Sequence, residues 1–323
     1  MLKRLFCLLA VLALPVLSLQ GALSDSNIIP PKEPEKVFFE GETDPFPEDA
    51  ELLTLRVCPL TGADCMLLSF GEHTMLVDTG RNTQTADVQN MLRSLGLSSV
   101  EFIFNTHPHS DHIGGVMPLL DAGFGVGAFL VVFPHDYVED YKKYDYYGET
   151  LRALERAGVP VKDLKTEDKI PFGGPDITVL RTPDEYLYDG MTCNEMAGML
   201  MVKYGDCSVL LTADVEPSSN SQIMLARLYD LKTDILKYPH HGKTGLLQEF
   251  YEVVNPALAV ITNVYVEWGG IEYLRMKQIP YLFTCAKDAY VHCYTDGTSW
   301  VVEYVPMGTA VPMFPSAESG AGE

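Results

Sequence analysis

The chain has 323 residues, 47% of them hydrophobic, enough for one large α/β domain without a second core. Its formal net charge of −21 repels polyanions and disfavours a protein that grips long nucleic-acid duplexes, although part of that acid lies ahead of the domain. No Cys-x-x-Cys spacing occurs, which argues against a zinc-thiolate cluster.

Residues 1–24 read as an export signal. Lys3 and Arg4 start it, Leu5 to Leu19 form a short apolar stretch, and Gly21-Ala22-Leu23-Ser24 offers small residues for cleavage. The expectation is a secreted or cell-surface protein with no stable membrane insertion after cleavage; an uncleaved anchor is the alternative. Residues 25–50 interleave Pro30, Pro31, Pro34, Pro45 and Pro47 with charged residues, a connector expected not to order itself. A single domain follows over 51–307, and residues 308–323 read as a frayed tail.

Within the domain the patterning predicts strands near 53–58, 65–70 and 74–78, then a helix over 83–95. A strand at 101–105 comes next, another at 129–133, a helix over 147–157 and short strands near 161–164 and 176–181. The hairpin 196–203/208–212 leads to Asp214, and a helix over 218–231 leads to a strand at 234–238. Further elements lie at 257–262, 270–278, 281–285 and 290–294. Strands, helix and strands, repeated once, predict two sheets face to face with helices outside, with functional loops at one edge. Cys58, Cys65, Cys193, Cys207, Cys285 and Cys293 leave two alternatives open. Cys58–Cys65 and Cys285–Cys293 could bridge their turns, or all six could be small buried hydrophobes.

The most informative stretch is Asn105-Thr106-His107-Pro108-His109-Ser110-Asp111-His112-Ile113-Gly114-Gly115. Four potential ligands within six positions follow a buried strand, so a tight loop can point them into one cavity. Imidazole suits zinc and similar ions, and a carboxylate compensates charge. The motif resembles the HxHxDH signature of the metallo-β-lactamase superfamily. Thr74 to Gly80, a strand ending in Asp78-Thr79-Gly80, resembles that family's first motif. Val209 to Asp214 is similar to the strand that delivers its bridging acid. Asp234 to Gly242, ending His240-His241-Gly242, resembles the ComEC-like branch, which includes secreted phosphodiesterases such as phosphorylcholine esterases. The hairpin around Thr61-Gly62-Ala63-Asp64 resembles that branch's opening.

The resemblance implies an αββα sandwich of two mixed sheets and a pair of divalent ions, zinc first and manganese as the alternative. His107 and His109 would serve one ion, Asp111 and His112 the other, with Asp214 bridging; a helix N-cap is the competing role for Asp214. Either His240 or His241 would complete the second site, and the other could contact substrate or protonate a leaving group. Asp78 is expected to orient the metal loop rather than bind metal. Many relatives supply a further histidine before the bridging acid, where this chain has Asn194; His135 is a possible substitute. Lys243 could meet an anionic substrate. Tyr265 and Trp268 could form a stacking wall.

The implied function is an exported metal-dependent hydrolase acting on a phosphodiester through a metal-activated hydroxide. Its catalytic candidates are Asp111, His241 and Lys243. The substrate would be a small molecule, a surface polymer or, disfavoured by charge, nucleic acid; the oligomeric state is left open. The alternatives are a β-lactamase or lactonase acting at carbon, and a binding module with a degraded site.

Overall fold

Both sheets of this protein are covered on two sides, so their central strands are buried along their length. The computed structural model describes residues 35–133, 146–187, 190–217, 221–266, 271–287 and 289–307. The expected export signal and tail, His135 and Trp268 lie outside the described residues.

One sheet contains β1 (Val37–Phe39), β2 (Leu53–Val57), β3 (Met66–Phe70), β4 (His73–Val77), β5 (Ser99–Asn105), β6 (Gly125–Val131) and β7 (Val161–Asp163). The other contains β8 (Lys169–Ile170), β9 (Asp176–Leu180), β10 (Met199–Tyr204), β11 (Cys207–Leu211), β12 (Ile235–Lys237), β13 (Leu258–Ile261) and β14 (Tyr281–Phe283). The hairpin of β15 (Ala289–Thr295) and β16 (Trp300–Pro306) returns to the first sheet. Among the described residues the strand orders are β1-β16-β15-β2-β3-β4-β5-β6-β7 and β14-β13-β12-β11-β10-β9-β8.

Alternation along each strand divides its side chains between two cores. Leu55, Leu68, Met75 and Phe104 meet Val179, Val202, Val209 and Val260 between the sheets. Each such buried aliphatic side chain contributes about 1.5–3 kcal/mol. On the outer face of the first sheet, Leu67, Leu76, Ile103 and Phe129 lie under α1 (Thr85–Ser94), α3 (Val116–Asp121) and α4 (Tyr146–Ala157), which follow and include the four-residue turn α2 (Ser110–Ile113) within their run. Met201, Leu210 and Leu236 lie under α5 (Ser221–Leu228) and α6 (Gln248–Val254), and Ile261 under α7 (Glu272–Met276). In α1, Val88, Met91 and Leu92 recur at helical spacing, with Asp87 in the first turn and Arg93 in the last. The result is the expected αββα sandwich.

Parallel pairing positions the site. β4 pairs with β5 (Val77 opposite Phe104), and β11, β12 and β13 pair in parallel (Leu211 opposite Lys237, Lys237 opposite Val260). Parallel neighbours end together, so the loops after β4, β5, β11, β12 and β13 gather at one edge, where open α/β sheets bind ligands.

Part of the connector departs from expectation. Val37-Phe38-Phe39 forms β1, parallel to Trp300-Val301-Val302, and the Trp300 N–H donates to the Lys36 carbonyl at 2.6 Å. A three-residue apolar window disappears in the average composition of a charged, proline-rich segment, but an edge strand needs no more. β16, its partner, was also missed. The cysteines take the hydrophobic alternative. The Cys58 N–H donates to the Cys65 carbonyl at 3.0 Å, yet no disulfide joins any of the six, and five are buried. Burial pushes the Cys207 thiol up to about 11 and the Cys293 thiol up to about 12.

Candidate metal centre

Three loops are laced together by their backbones before any side chain acts. The Asp64 N–H donates to the Asp111 carbonyl (3.1 Å), Gly80 to Asp64 (2.8 Å), Thr79 to His112 (2.7 Å) and Gly115 to Gly80 (2.9 Å). A Cβ on Gly115 would stand 2.2 Å from the Thr79 carbonyl oxygen, so this approach requires glycine. At the strand ends Asp78, Ala213, His240 and His241 have φ of 58°, 50°, 48° and 51°, left-handed values that are costly for residues with a Cβ. Such strain gathers at functional sites. Here it turns the side chains of two successive residues, His240 and His241, toward the same cavity.

Three of four imidazoles, His107, His112 and His241, are tied through Nδ1. Asp78 Oδ2 takes His112 Nδ1–H at 2.7 Å, and Asp78 also accepts from Asn105 and from the Thr106 backbone and hydroxyl. Because the Thr106 hydroxyl gives its proton to Asp78, its oxygen is the acceptor for His107 Nδ1, 3.0 Å away. His241 Nδ1 lies 3.1 Å from Asp64 Oδ1 and 2.9 Å from the Thr262 hydroxyl, which itself donates to Asp64. His240 Nδ1 lies 2.9 Å from Glu216 Oε1. That last contact is not an aligned hydrogen bond, yet all four Nε2 atoms turn inward.

All four meet Asp214. Its Oδ2 lies 3.2 Å from His112 Nε2, 3.6 Å from His240 Nε2 and 3.9 Å from His107 Nε2; its Oδ1 lies 3.4 Å from His241 Nε2. Neither oxygen of this buried carboxylate has a well-directed hydrogen bond, nor do His112 Nε2 and His241 Nε2. Imidazole lone pairs facing a carboxylate repel unless positive charge lies between them. Oxygen and nitrogen donors in this number, three of the imidazoles with their outer nitrogens already bound, fit divalent cations.

The protein's own charges show the same demand. Burial alone would lower His112 and His241, but Asp214 with Asp78, and Asp214 with Asp64, hold both imidazoles above their ordinary range. Burial would likewise raise Asp214, yet His112 and His241 keep it well below the usual carboxylate range. His107, where burial and the neighbouring His112 prevail, is driven down. Clusters able to hold an ion include His107–His112–Asp214, Asp111–His112–His241 and Asp64–Asp214–His241.

His107, His109, Asp111, His112, Asp214, His240, His241 and Lys243 all come to this edge; His135 lies outside the described residues. His109 Nδ1 lies 3.1 Å from His107 Nε2. Asp111 Oδ2 stands 3.8 Å from His241 Nε2, 2.9 Å from the Arg81 guanidinium and 3.8 Å from Lys243 Nζ. Of the histidine pair, His241 is fully buried and faces Asp111, whereas His240 sits nearer the surface. Tyr265 is exposed.

Four participants were not anticipated. Asp64 anchors His241 and pairs with buried Lys237, whose Nζ also donates to the Ala213 carbonyl at 3.0 Å. Glu216 lies beside His240, and Arg81 flanks Asp111. Lys237 carried a readable signal, a lysine closing the apolar strand Ile235-Leu236, and Asp64 stood in the opening hairpin; Glu216 and Arg81 carried none beyond their residue type.

A family model described as the metallo-beta-lactamase superfamily matches residues 58–257, and the chain belongs to that superfamily. Its members are generally metal-dependent hydrolases. The chain is also similar to the ribonuclease Z of Archaeoglobus fulgidus, 27% identical over 125 residues, which are 36% of this chain and 37% of that enzyme. The match thus spans little more than a third of that relative. Among solved structures, CmlA, a diiron β-hydroxylase from Streptomyces venezuelae, is 15% identical and covers 74% of this chain and 54% of its own, with a TM-score of 0.47. The metallo-β-lactamase fold protein YhfI from Bacillus subtilis is 14% identical and covers 72% of this chain and 97% of its own, with a TM-score of 0.46.

Proposed function

We propose that this chain is a binuclear metal-dependent phosphodiesterase of the ComEC-like branch. The observation that carries this is the convergence of four imidazole Nε2 atoms, three of them on rings tethered through Nδ1, on the unsatisfied carboxylate of Asp214. His107, His109 and Asp214 would hold one ion, and Asp111, His112, His241 and Asp214 the other. Two divalent cations held there would supply Lewis acidity and activate water near neutral pH.

The chain's own residues supply the rest. Asp78 and Asp64 fix His112 and His241 by their Nδ1 atoms, so neither ring needs to reorganise. Asp111 is held between Arg81 and Lys243, which fixes its direction and places two cations at the rim of the site. Lys243 is partly exposed and offers Nζ to an anionic oxygen of the substrate. Two positive side chains beside the centre of a chain with net charge −21 favour a phosphodiester over a neutral ester.

The match to a ribonuclease supports phosphodiester chemistry, and His240-His241-Gly242 supports the branch. The acidic surface favours a small or surface-polymer diester over a long duplex. Residues 1–24 support an exported protein.

The test is metal content of the purified protein together with turnover of bis-p-nitrophenyl phosphate and of nitrocefin. About two metals per chain are expected, with phosphodiester turnover lost on chelation and restored by zinc or manganese. Turnover of nitrocefin alone would move the reaction to carbon. Absence of both metal and turnover would leave a binding module.

A further inference from the structure

Away from the metal centre, the connector ahead of the domain and the outer face of β15 and β16 enclose a cleft of about 420 Å³. That volume is typical of small-molecule sites. Tyr294 in its wall lies opposite Thr54, near the start of β2. The metal edge lies at the other end, where Val57 of β2 pairs with Met66 and Met66 with Val77, the residue before Asp78. Three residues of strand, about 10 Å, separate the two levels.

The cleft joins apolar walls to uncompensated acid. Phe46 and Tyr294 meet edge to face, with centroids 5.9 Å apart and planes at 83°. Pro45 and Pro47 restrict the backbone on either side of Phe46. The segment is pinned by the Glu40 N–H to the Val302 carbonyl (3.1 Å) and by the Ala50 N–H to the Pro47 carbonyl (3.0 Å). Glu40, Asp44 and Glu48 line the same space, and none of the lining residues is basic. Among the described residues none of these three carboxylates has a side-chain hydrogen bond or an ion pair. Burial, Glu303 and Glu40 together raise the Tyr294 phenol above its ordinary range, so the charge of Glu40 is felt at the ring.

Aromatic faces beside free carboxylates attract a cation. A divalent metal demands a shell of oxygens, and a lysine-type ammonium is strongly hydrated, so apolar walls suit neither. We propose that this cleft is a binding site for a small quaternary-ammonium cation, seated against Phe46 and Tyr294 and balanced by Glu40, Asp44 and Glu48. Because the connector is already held against the sheet, little ordering remains to be done on binding.

Calorimetric titration of the full chain with benzyltrimethylammonium tests this, with magnesium and guanidinium as competing cations. Saturable binding is expected, weakened about fivefold or more in Phe46→Ala and retained in Phe46→Trp, whose indole offers the better face. Glu40→Gln, Asp44→Asn and Glu48→Gln combined should also weaken it and flatten its salt dependence. Thermal unfolding controls for folding, and the combined variant decides the matter should Phe46→Ala fail to fold. No saturable binding by wild type, or binding unchanged in Phe46→Ala and in the combined variant, would overturn the proposal. Displacement of the probe by magnesium or guanidinium at equal or lower concentration would also overturn it. Turnover plays no part in this readout, so failure of the phosphodiesterase reading leaves it intact.

Discussion

Asp64 and Lys237 form an ion pair shut away from water, and the surrounding groups explain its persistence. Thr262 and His241 satisfy one oxygen of Asp64, and the Ala213 carbonyl accepts from Lys237. Removing one member of such a pair strands the other and costs about 3–5 kcal/mol, more than the pair is worth against an apolar replacement. Asp64→Asn and Lys237→Met are each expected to lower the urea-unfolding free energy by about that amount, and the double variant by less than the sum. Additive losses would show that the two charges are uncoupled. Lys243 stands at the rim, where its charge is available to substrate. Hydrogen bonds to charged groups contribute about 1.5–3 kcal/mol. Lys243→Ala should therefore raise KM for bis-p-nitrophenyl phosphate by about tenfold or more, with Lys243→Arg retaining part of the affinity. An unchanged KM would remove Lys243 from substrate contact.

Among the elements, the loops after β4 and β5 act as one unit. Asp78 braces the metal loop from the end of β4 through Asn105, Thr106 and His112, while Gly115 permits the backbone contact beneath it. Gly115→Ala drives a Cβ against a backbone carbonyl rather than against a pliable side chain, so the loop itself must move. The expected result is a loss of about 1–3 kcal/mol in stability together with weaker zinc uptake, read by thermal unfolding and metal titration. Weakened uptake at unchanged stability would instead place the strain in the ligand geometry alone. At the opposite side of the sheet, β1 lengthens the edge beyond β16, so residues ahead of the expected domain boundary belong to the same folded body.

Across the whole molecule, acid sensitivity should have a source outside the metal centre. His292 lies on β15, 6% exposed, with Nδ1 bound to Glu303 at 2.8 Å and directly opposite Arg56 of β2. Burial is the main cause that lowers its pKa, and Arg56 adds to it, against the upward pull of Glu303. The native state therefore binds fewer protons than the unfolded chain just below the ordinary histidine pKa of about 6.5. Stability from this group is fully present above that pH and is lost as pH falls from there toward the depressed native value. Unfolding free energy measured from pH 7.5 to 5 should fall, and less steeply in His292→Gln. Equal slopes would assign the acid sensitivity elsewhere.

Local patterning sufficed for much of this protein. The apolar runs of β2 to β5 and β10 to β13, the helical spacing in α1 and the clustered ligands His107, His109, Asp111 and His112 are properties of short segments, readable because burial and ligation impose short periods. The order of strands and helices also indicated two covered sheets. Tertiary structure decided what depends on distant parts meeting: β1 against β16, thiols packed rather than bridged, and the partners of each histidine. Asp64 reaches His241 across 177 positions, and Thr262 reaches Asp64 across 198. No local period records such a contact. It is fixed only when parallel strands in both sheets bring their carboxyl ends to one edge, where the Nδ1 atoms of His107, His112 and His241 find partners and their Nε2 atoms are left facing Asp214.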